Sequence, residues 1–223
     1  MTEALWTSAE IVGATGGALA GPAFEVGGIS IDSRSVEPGD LFVAMAGVRD
    51  GHDFVPAALA AGAAGAMTLR PMGTSSIVVE DTLKALERLG EAARIRAPKV
   101  RRGAVTGSVG KTSVTQAIRV GLELAGRAHG SVKSYNNHIG VPLTLARMPR
   151  ASERAIFEIG MNHAGEIRPL ARMVQPQAVA ITTVGPVHVE NFPDAEAGVA
   201  RSKAEIFEGL QSGGVAVLNA DDR

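Results

Sequence analysis

Residues 103–113 read Gly103-Ala104-Val105-Thr106-Gly107-Ser108-Val109-Gly110-Lys111-Thr112-Ser113. The first four residues predict a β-strand, Gly107 and Gly110 bracket a turn, and an amphipathic pattern from Thr112 to about Ala125 predicts a helix. A strand, a glycine loop and a helix start in that order suit phosphate binding. Glycines let backbone N–H groups converge on phosphate oxygens, and the helix N-terminus adds partial positive charge. On this reading Lys111 reaches the β- and γ-phosphates and the Thr112 hydroxyl ligates Mg²⁺. The strict nucleotide-loop pattern has glycine where this chain has Val105, so the string is Gly-x-x-Gly-Lys-Thr. At this composition such a string arises by chance in roughly 0.01 of chains of this length. An exposed lysine in a glycine-rich turn is the plainer alternative.

Outward from this loop, short β-like runs alternate with helical stretches, the signature of α/β architecture. Upstream, strands are expected at Ile29–Ile31, Leu41–Met45, Ala66–Leu69 and Ile77–Val79, with helices at Phe54–Ala61 and from Thr82 to about Arg96. Asp81 is the expected N-cap of the second helix, and Pro98 breaks its pattern. A domain boundary is placed there, giving domains 1–98 and 99–223. Downstream, strands are expected at Ala155–Ile159, Ala178–Thr183 and Val215–Leu218, with helices at Glu166–Val174 and Ala195–Leu210. The sheet should be mainly parallel, with ligands at its C-terminal edge.

Composition narrows the class. The 223 residues carry 22 Lys and Arg against 23 Asp and Glu, a net charge of −1, which argues against a bulk nucleic-acid binder. Six Phe, one Tyr and one Trp make a base-stacking platform a poor fit. There is no cysteine, so thiolate chemistry and disulfides are excluded. No uncharged stretch offers the ~20 apolar residues of a membrane span. No membrane insertion is therefore expected, and a reducing cytoplasm is compatible; the cytoplasmic location itself is what the resemblance given below implies.

Other residues carry weaker signals. The strand Ala155-Ile156-Phe157 delivers Glu158, a carboxylate suited to Mg²⁺ or to a salt bridge at the strand end. Past the strand at 178–183 comes Gly185-Pro186-Val187-His188, where His188 is either a metal ligand or an ordinary loop histidine. No Asn-Lys-x-Asp base-reading motif of a switch GTPase occurs. His129 and His163 read as structural loop residues, Asp32 as a turn cap, Met45, Met67 and Met148 as core filler, and Arg101-Arg102 as a solvated pair.

Several further stretches carry a resemblance. Asp32-Ser33-Arg34, Pro38-Gly39-Asp40-Leu41-Phe42-Val43-Ala44 and Asp50-Gly51-His52-Asp53-Phe54 resemble the uridine-substrate domain of the Mur ligases, the ATP-dependent amide-forming enzymes of peptidoglycan synthesis. The loop at 107–113 is similar to that family's ATP loop, with Ser108 and Val109 where it often has Thr and Asn. Asn136-Asn137-His138-Ile139-Gly140-Val141-Pro142-Leu143-Thr144, Glu158-Ile159-Gly160-Met161-Asn162-His163, and His188-Val189-Glu190 leading to Ser202-Lys203-Ala204-Glu205-Ile206-Phe207 favour one branch. That branch adds D-alanyl-D-alanine to UDP-N-acetylmuramoyl-tripeptide.

The resemblance implies a Mur-ligase substrate domain followed by part of a P-loop, mainly parallel-sheet ATP-binding domain, with the family's C-terminal domain absent. It implies that Gly107, Ser108, Val109, Gly110, Lys111, Thr112 and Ser113 bind ATP. Mg²⁺ would be held by Thr112, Glu158, His188 and Lys203, the last as a carbamate or, alternatively, a plain surface lysine paired with a glutamate. Lys111, Lys203 and His188 would be catalytic, and Ser33, Arg34, His52, Asn136 and Asn137 would meet the UDP-linked substrate. The implied reaction passes through an acyl phosphate, in an enzyme that is a monomer when complete; residues 1–223 alone are expected to be an inactive fragment. A sibling ligase adding another amino acid and a non-catalytic UDP-sugar or nucleotide-binding module are the alternatives.

Overall fold

The computed structural model describes residues 4–222 except 48, 74, 132, 133, 188 and 193. Two compact units divide the chain, residues 1–93 and 94–223.

The first unit opens with strand β1 (Trp6–Thr7) and helix α1 (Ser8–Thr15). The Thr7 hydroxyl accepts the Glu10 N–H while Glu10 accepts the Thr7 N–H, satisfying two orphan donors of the first turn. Then follow β2 (Ala18–Ala20), β3 (Glu25–Val26), which pairs antiparallel with β1, β4 (Gly28–Ser30) and β5 (Asp40–Val43). Helix α2 (Val55–Ala60), β6 (Gly65–Thr68), β7 (Ser76–Val78) and α3 (Thr82–Arg96) complete it. The sheet order is β2-β7-β6-β5-β4, parallel except for β2. Each of the four expected strands starts one residue before its apolar run, and β5 also ends two residues sooner, at Val43. All four residues of β5 and of β6 are buried, so no inside–outside alternation marks their ends. Asp81 Oδ1 accepts the N–H groups of Leu83 and Lys84, the expected cap.

The division falls inside α3 rather than at Pro98. Arg94 bonds Gln175, Arg96 bonds the Met148 carbonyl, and Ala97 joins the core of the second unit.

The second unit is a five-stranded, wholly parallel sheet: β8 (Arg101–Thr106), β9 (Ala128–Gly130), β10 (Arg154–Glu158), β11 (Ala178–Ile181) and β12 (Val215–Leu218). Their order is β12-β11-β8-β10-β9. Successive strands leave β8 first to one side and then to the other, which opens a crevice beyond its C-terminal end. The helices are α4 (Lys111–Leu124), α5 (Gly140–Ala146), α6 (Ile167–Val174) and α7 (Ala195–Ala204), the last continued by a 3-10 segment at Glu205–Gly209. Val141, Leu145, Phe157, Leu170, Ala171, Val179 and Ile206 build the core between sheet and helices.

Two expectations are corrected. Arg102 is buried rather than solvated: its guanidinium donates to the carbonyls of Val100, Val174 and Gln175, closing the C-terminus of α6. A helix end leaves carbonyls without partners, and a buried arginine is stable only where it finds such acceptors. His129 lies in strand β9, not in a turn, and its Nε2–H donates to the Thr144 carbonyl at 2.7 Å. Burial holds its pKa down at about 4, so the ring is neutral. Helix α5 and strands β2 and β9, short and rich in Gly, Ala or Pro, lacked any periodic signal.

Candidate active site

Strand β8 ends at Thr106, and the chain turns through Gly107 to Gly110 into α4. Gly107 has φ +151°, and a Cβ there would lie 1.9 Å from Thr182 Oγ1. Only glycine fits. Gly110, at φ +81°, faces open space. Val105 is wholly buried within β8, in register with Glu158 of β10, so where the strict motif has its first glycine this chain is still strand.

The loop is braced from the end of β11. Ser108 N–H donates to the Thr183 carbonyl at 2.8 Å, and Thr182 Oγ1 donates to the Val109 carbonyl at 2.6 Å. Ser108 Oγ donates to the Gly185 carbonyl and accepts the Gly185 N–H, each at 3.0 Å. The Ser108 hydroxyl is thus committed to the loop, whereas Val109 is 60% exposed at its tip. Asp222, which sequence reasoning missed, accepts from Thr183 Oγ1 and Val184 N–H and holds the brace itself.

The N-cap of α4 is Gly110, which has no side chain to cap the helix, so among the described residues the amides of its first turn are available to an anion. Lys111 Nζ folds back onto the carbonyls of Gly107 (2.8 Å) and Ser108 (3.3 Å). Partial burial lowers its pKa, opposed by the attraction of Glu158. Thr112 and Ser113 are exposed beside it.

Glu158 is 2% exposed at the end of β10. Its Oε1 accepts from Asn136 Nδ2 (2.7 Å) and Ser134 Oγ (3.1 Å), and Oε2 has no hydrogen-bond partner among the described residues. Asn136, expected at the substrate, is turned instead onto Glu158. Asn137 Oδ1 accepts the N–H groups of Ile139 and Gly140, so that side chain supports the start of α5. Ser134 carried no sequence signal, because its partner lies on a distant strand.

Lys203, on the last turn of α7, is 4% exposed, which excludes the surface-lysine reading. Burial, reinforced by repulsion from Lys111, lowers its pKa to about 8. Lys111, Glu158 and Lys203 therefore share one electrostatic neighbourhood at the C-terminal edge of the sheet. His188 lies outside the described residues.

The oxygen set of Glu158 Oε2 and the Thr112 hydroxyl suits Mg²⁺, a hard cation, and the uncapped helix start with Lys111 suits a polyphosphate.

In the first unit, half-buried Ser33 and exposed Arg34 form a 3-10 turn capped by Asp32, which accepts the Arg34 N–H and grips its guanidinium at 2.9 and 2.7 Å. His52 does not join them as a ligand contact. It is 1% exposed, with Nδ1 on Asp50 Oδ1 at 2.5 Å and Nε2 accepting the Leu69 N–H at 2.8 Å. Nδ1 closes the turn on itself through Asp50, and Nε2 fastens that turn to Leu69 just past β6.

Residues 105–223 match the Mur ligase middle domain, more than half of the chain. The chain belongs to the Mur ligase family. Residues 25–112 match a second model of the same Mur ligase family, its catalytic domain. Among Mur ligases, the UDP-N-acetylmuramoyl-tripeptide–D-alanyl-D-alanine ligase of Escherichia coli is 36% identical over 97% of this chain and 48% of its own length. The crystal structure of MurF from Acinetobacter baumannii superposes with a TM-score of 0.85 at 33% identity, covering 97% of this chain and 49% of that one. MurF from Thermotoga maritima, solved in complex with ADP, superposes at 0.69 with 25% identity, over 87% of this chain and 46% of its own. The chain spans about half the length of the relatives it matches.

Proposed function

We propose that residues 1–223 belong to an ATP- and Mg²⁺-dependent ligase that joins D-alanyl-D-alanine to UDP-N-acetylmuramoyl-tripeptide in the cytoplasm. The observation that carries this reading is the convergence of the uncapped α4 N-terminus, Lys111, Glu158 and Lys203 at one sheet edge. The resemblance to a relative solved with ADP supports an adenine nucleotide as ligand. ATP supplies a γ-phosphoryl group that activates the peptide carboxylate toward the incoming amine.

The difficulty for the protein is electrostatic, since an anionic carboxylate must approach a polyanionic triphosphate. Lys111 and the first-turn amides of α4 neutralise phosphate charge, and Thr112 and Glu158 hold Mg²⁺. Asn136 and Ser134 occupy Glu158 Oε1 and leave Oε2 toward the metal. A free ammonium on Lys203 opposes both Lys111 and Mg²⁺. At a pKa of about 8 a usable fraction is neutral amine near pH 7.5, able to add CO₂ and release a proton. The resulting carbamate replaces +1 with −1 and adds two oxygen donors. In the first unit, the turn of Ser33 and Arg34 faces the uridine diphosphate portion, and the Asn137 amide nitrogen remains for the muramoyl-peptide.

The test uses the full-length protein with ATP, Mg²⁺, UDP-N-acetylmuramoyl-tripeptide and D-alanyl-D-alanine, following phosphate release and amide product. Lys111→Ala is expected to lower kcat on the order of 10³-fold while the KM for the UDP-substrate holds. Near-normal turnover of that variant overturns the ATP-site assignment. Turnover with another amino acid but not with D-alanyl-D-alanine moves the protein to a sibling branch.

A further inference from the structure

We propose that Glu205, through the clamp between the 205–209 segment and α6, is a positioning residue that sets where Lys203 stands relative to Glu158. The inference rests on the ligase reading, in which both of those side chains hold Mg²⁺.

Glu205 is a buried carboxylate, and a buried charge persists only with strong compensation. Its Oε1 accepts the Gly165 N–H at 2.8 Å and its Oε2 the Arg168 N–H at 3.1 Å. Arg168 is in the first turn of α6 and Gly165 immediately precedes its N-cap residue, Glu166, which itself makes no capping bond. The Glu166 carboxylate is turned to the Asn162 N–H instead, at 2.7 Å. The cap of α6 is therefore brought from the segment that follows α7. A local Ser or Asp would cap the helix equally well. A distant carboxylate caps it and also ties two elements together.

Two further contacts make the tie rigid. Gly209 lies so close to α6 that a Cβ there would meet the Ala171 carbonyl oxygen at 2.1 Å. Glu208 pairs with Arg168 Nε at 2.7 Å and Arg172 Nη2 at 2.8 Å. The 205–209 segment thus rests on α6 at its beginning, middle and end.

Lys203 lies two residues before Glu205, and Glu158 lies one short loop before α6. That loop is pinned near Glu158 by the Gly160 N–H on the Asn136 carbonyl, at 2.7 Å, and at its far end by Glu205 on Gly165. Glu205 accordingly joins the segments bearing the two metal-facing side chains without touching a ligand itself. Groups that orient metal ligands typically change metal affinity or activity about 10–100-fold when removed.

The experiment uses the full-length protein and measures kcat, the KM for the UDP-substrate, the Mg²⁺ concentration giving half-maximal rate and, without turnover, the Mg²⁺ Kd by titration calorimetry, which is expected to move with the half-saturating concentration. Glu205→Gln keeps the volume and one accepting oxygen but sets an amide NH₂ against one of the two N–H donors. It is expected to lower kcat about tenfold and to raise the half-saturating Mg²⁺ at least about threefold, with the UDP-substrate KM unchanged. Glu208→Gln, at an exposed site and so without risk to folding, is expected to shift both quantities in the same direction by less. Wild-type Mg²⁺ half-saturation in both variants overturns the proposal, even if kcat falls. Should Glu205→Gln fail to fold, the Glu208→Gln result alone decides. Failure of the ligase reading is distinct, because the wild-type protein then shows no amide formation at all.

Discussion

Replacing Lys203 with methionine should stabilise the protein while abolishing the activity proposed for it. Methionine matches the lysine stem and removes the ammonium, which stands buried near Lys111 with a pKa of about 8 against 10.5 for a solvated lysine. That difference corresponds to about 3 kcal/mol against folding at neutral pH. Between pH 8 and 10.5 the unfolded chain binds more protons at this site than the folded one, so stability rises with pH there. The penalty is therefore complete below pH 8 and shrinks to less than about 1 kcal/mol near pH 10. Urea unfolding in degassed, Mg²⁺-free buffer should show Lys203→Met more stable than wild type by about 3 kcal/mol at pH 7, with the gap closing toward pH 10. Adding bicarbonate and Mg²⁺ at pH 7.5 should narrow the gap from the wild-type side, as the cation becomes a metal-bound anion. Equal or lower stability of Lys203→Met at pH 7 would refute the reasoning, because a comfortably solvated lysine costs nothing to keep.

Gly107→Ala should destabilise the protein by ~2–3 kcal/mol and abolish nucleotide binding, because its methyl group meets Thr182; Gly110→Ala, strained in φ but unobstructed, should cost only about 1 kcal/mol. Thermal melts and nucleotide titrations of the two variants check the contrast, and equal effects would contradict it. Burial beside Phe157 keeps the His129 ring neutral even though its bond to the Thr144 carbonyl favours the charged form, and its folded pKa lies below the usual 6.5. Its contribution is complete above pH 6.5 and is lost as the pH falls toward 4, by about 1–2 kcal/mol at pH 5 after allowing for partial exposure. Urea midpoints at pH 7 and pH 5 should therefore diverge less for His129→Gln than for wild type.

The α/β class, the glycine loop and Glu158 at a strand end were legible in the sequence because their signals are local. Gly107, Gly110 and Lys111 declare themselves within five positions, and the strands as apolar runs. Their ends shifted by one or two residues, because strands buried on both faces carry no alternation to mark where pairing stops. What a polar side chain does depends on which distant atoms reach it, and no spacing rule encodes that. Asn136 was expected at a substrate and is seen to steady Glu158 from the loop between β9 and α5; His52, offered as a ligand contact, spends both nitrogens on Asp50 and Leu69. Arg102 looked like a solvated charge until the C-terminal carbonyls of α6 were seen to surround it. Lys203 could be placed on a helix from sequence, but its burial beside Lys111 required α7 to be set against the sheet edge. Chemistry-bearing residue types follow from local pattern, since loops and strands form from neighbouring residues; charge states and partners follow from burial and long-range contact, which exist only once the chain has folded.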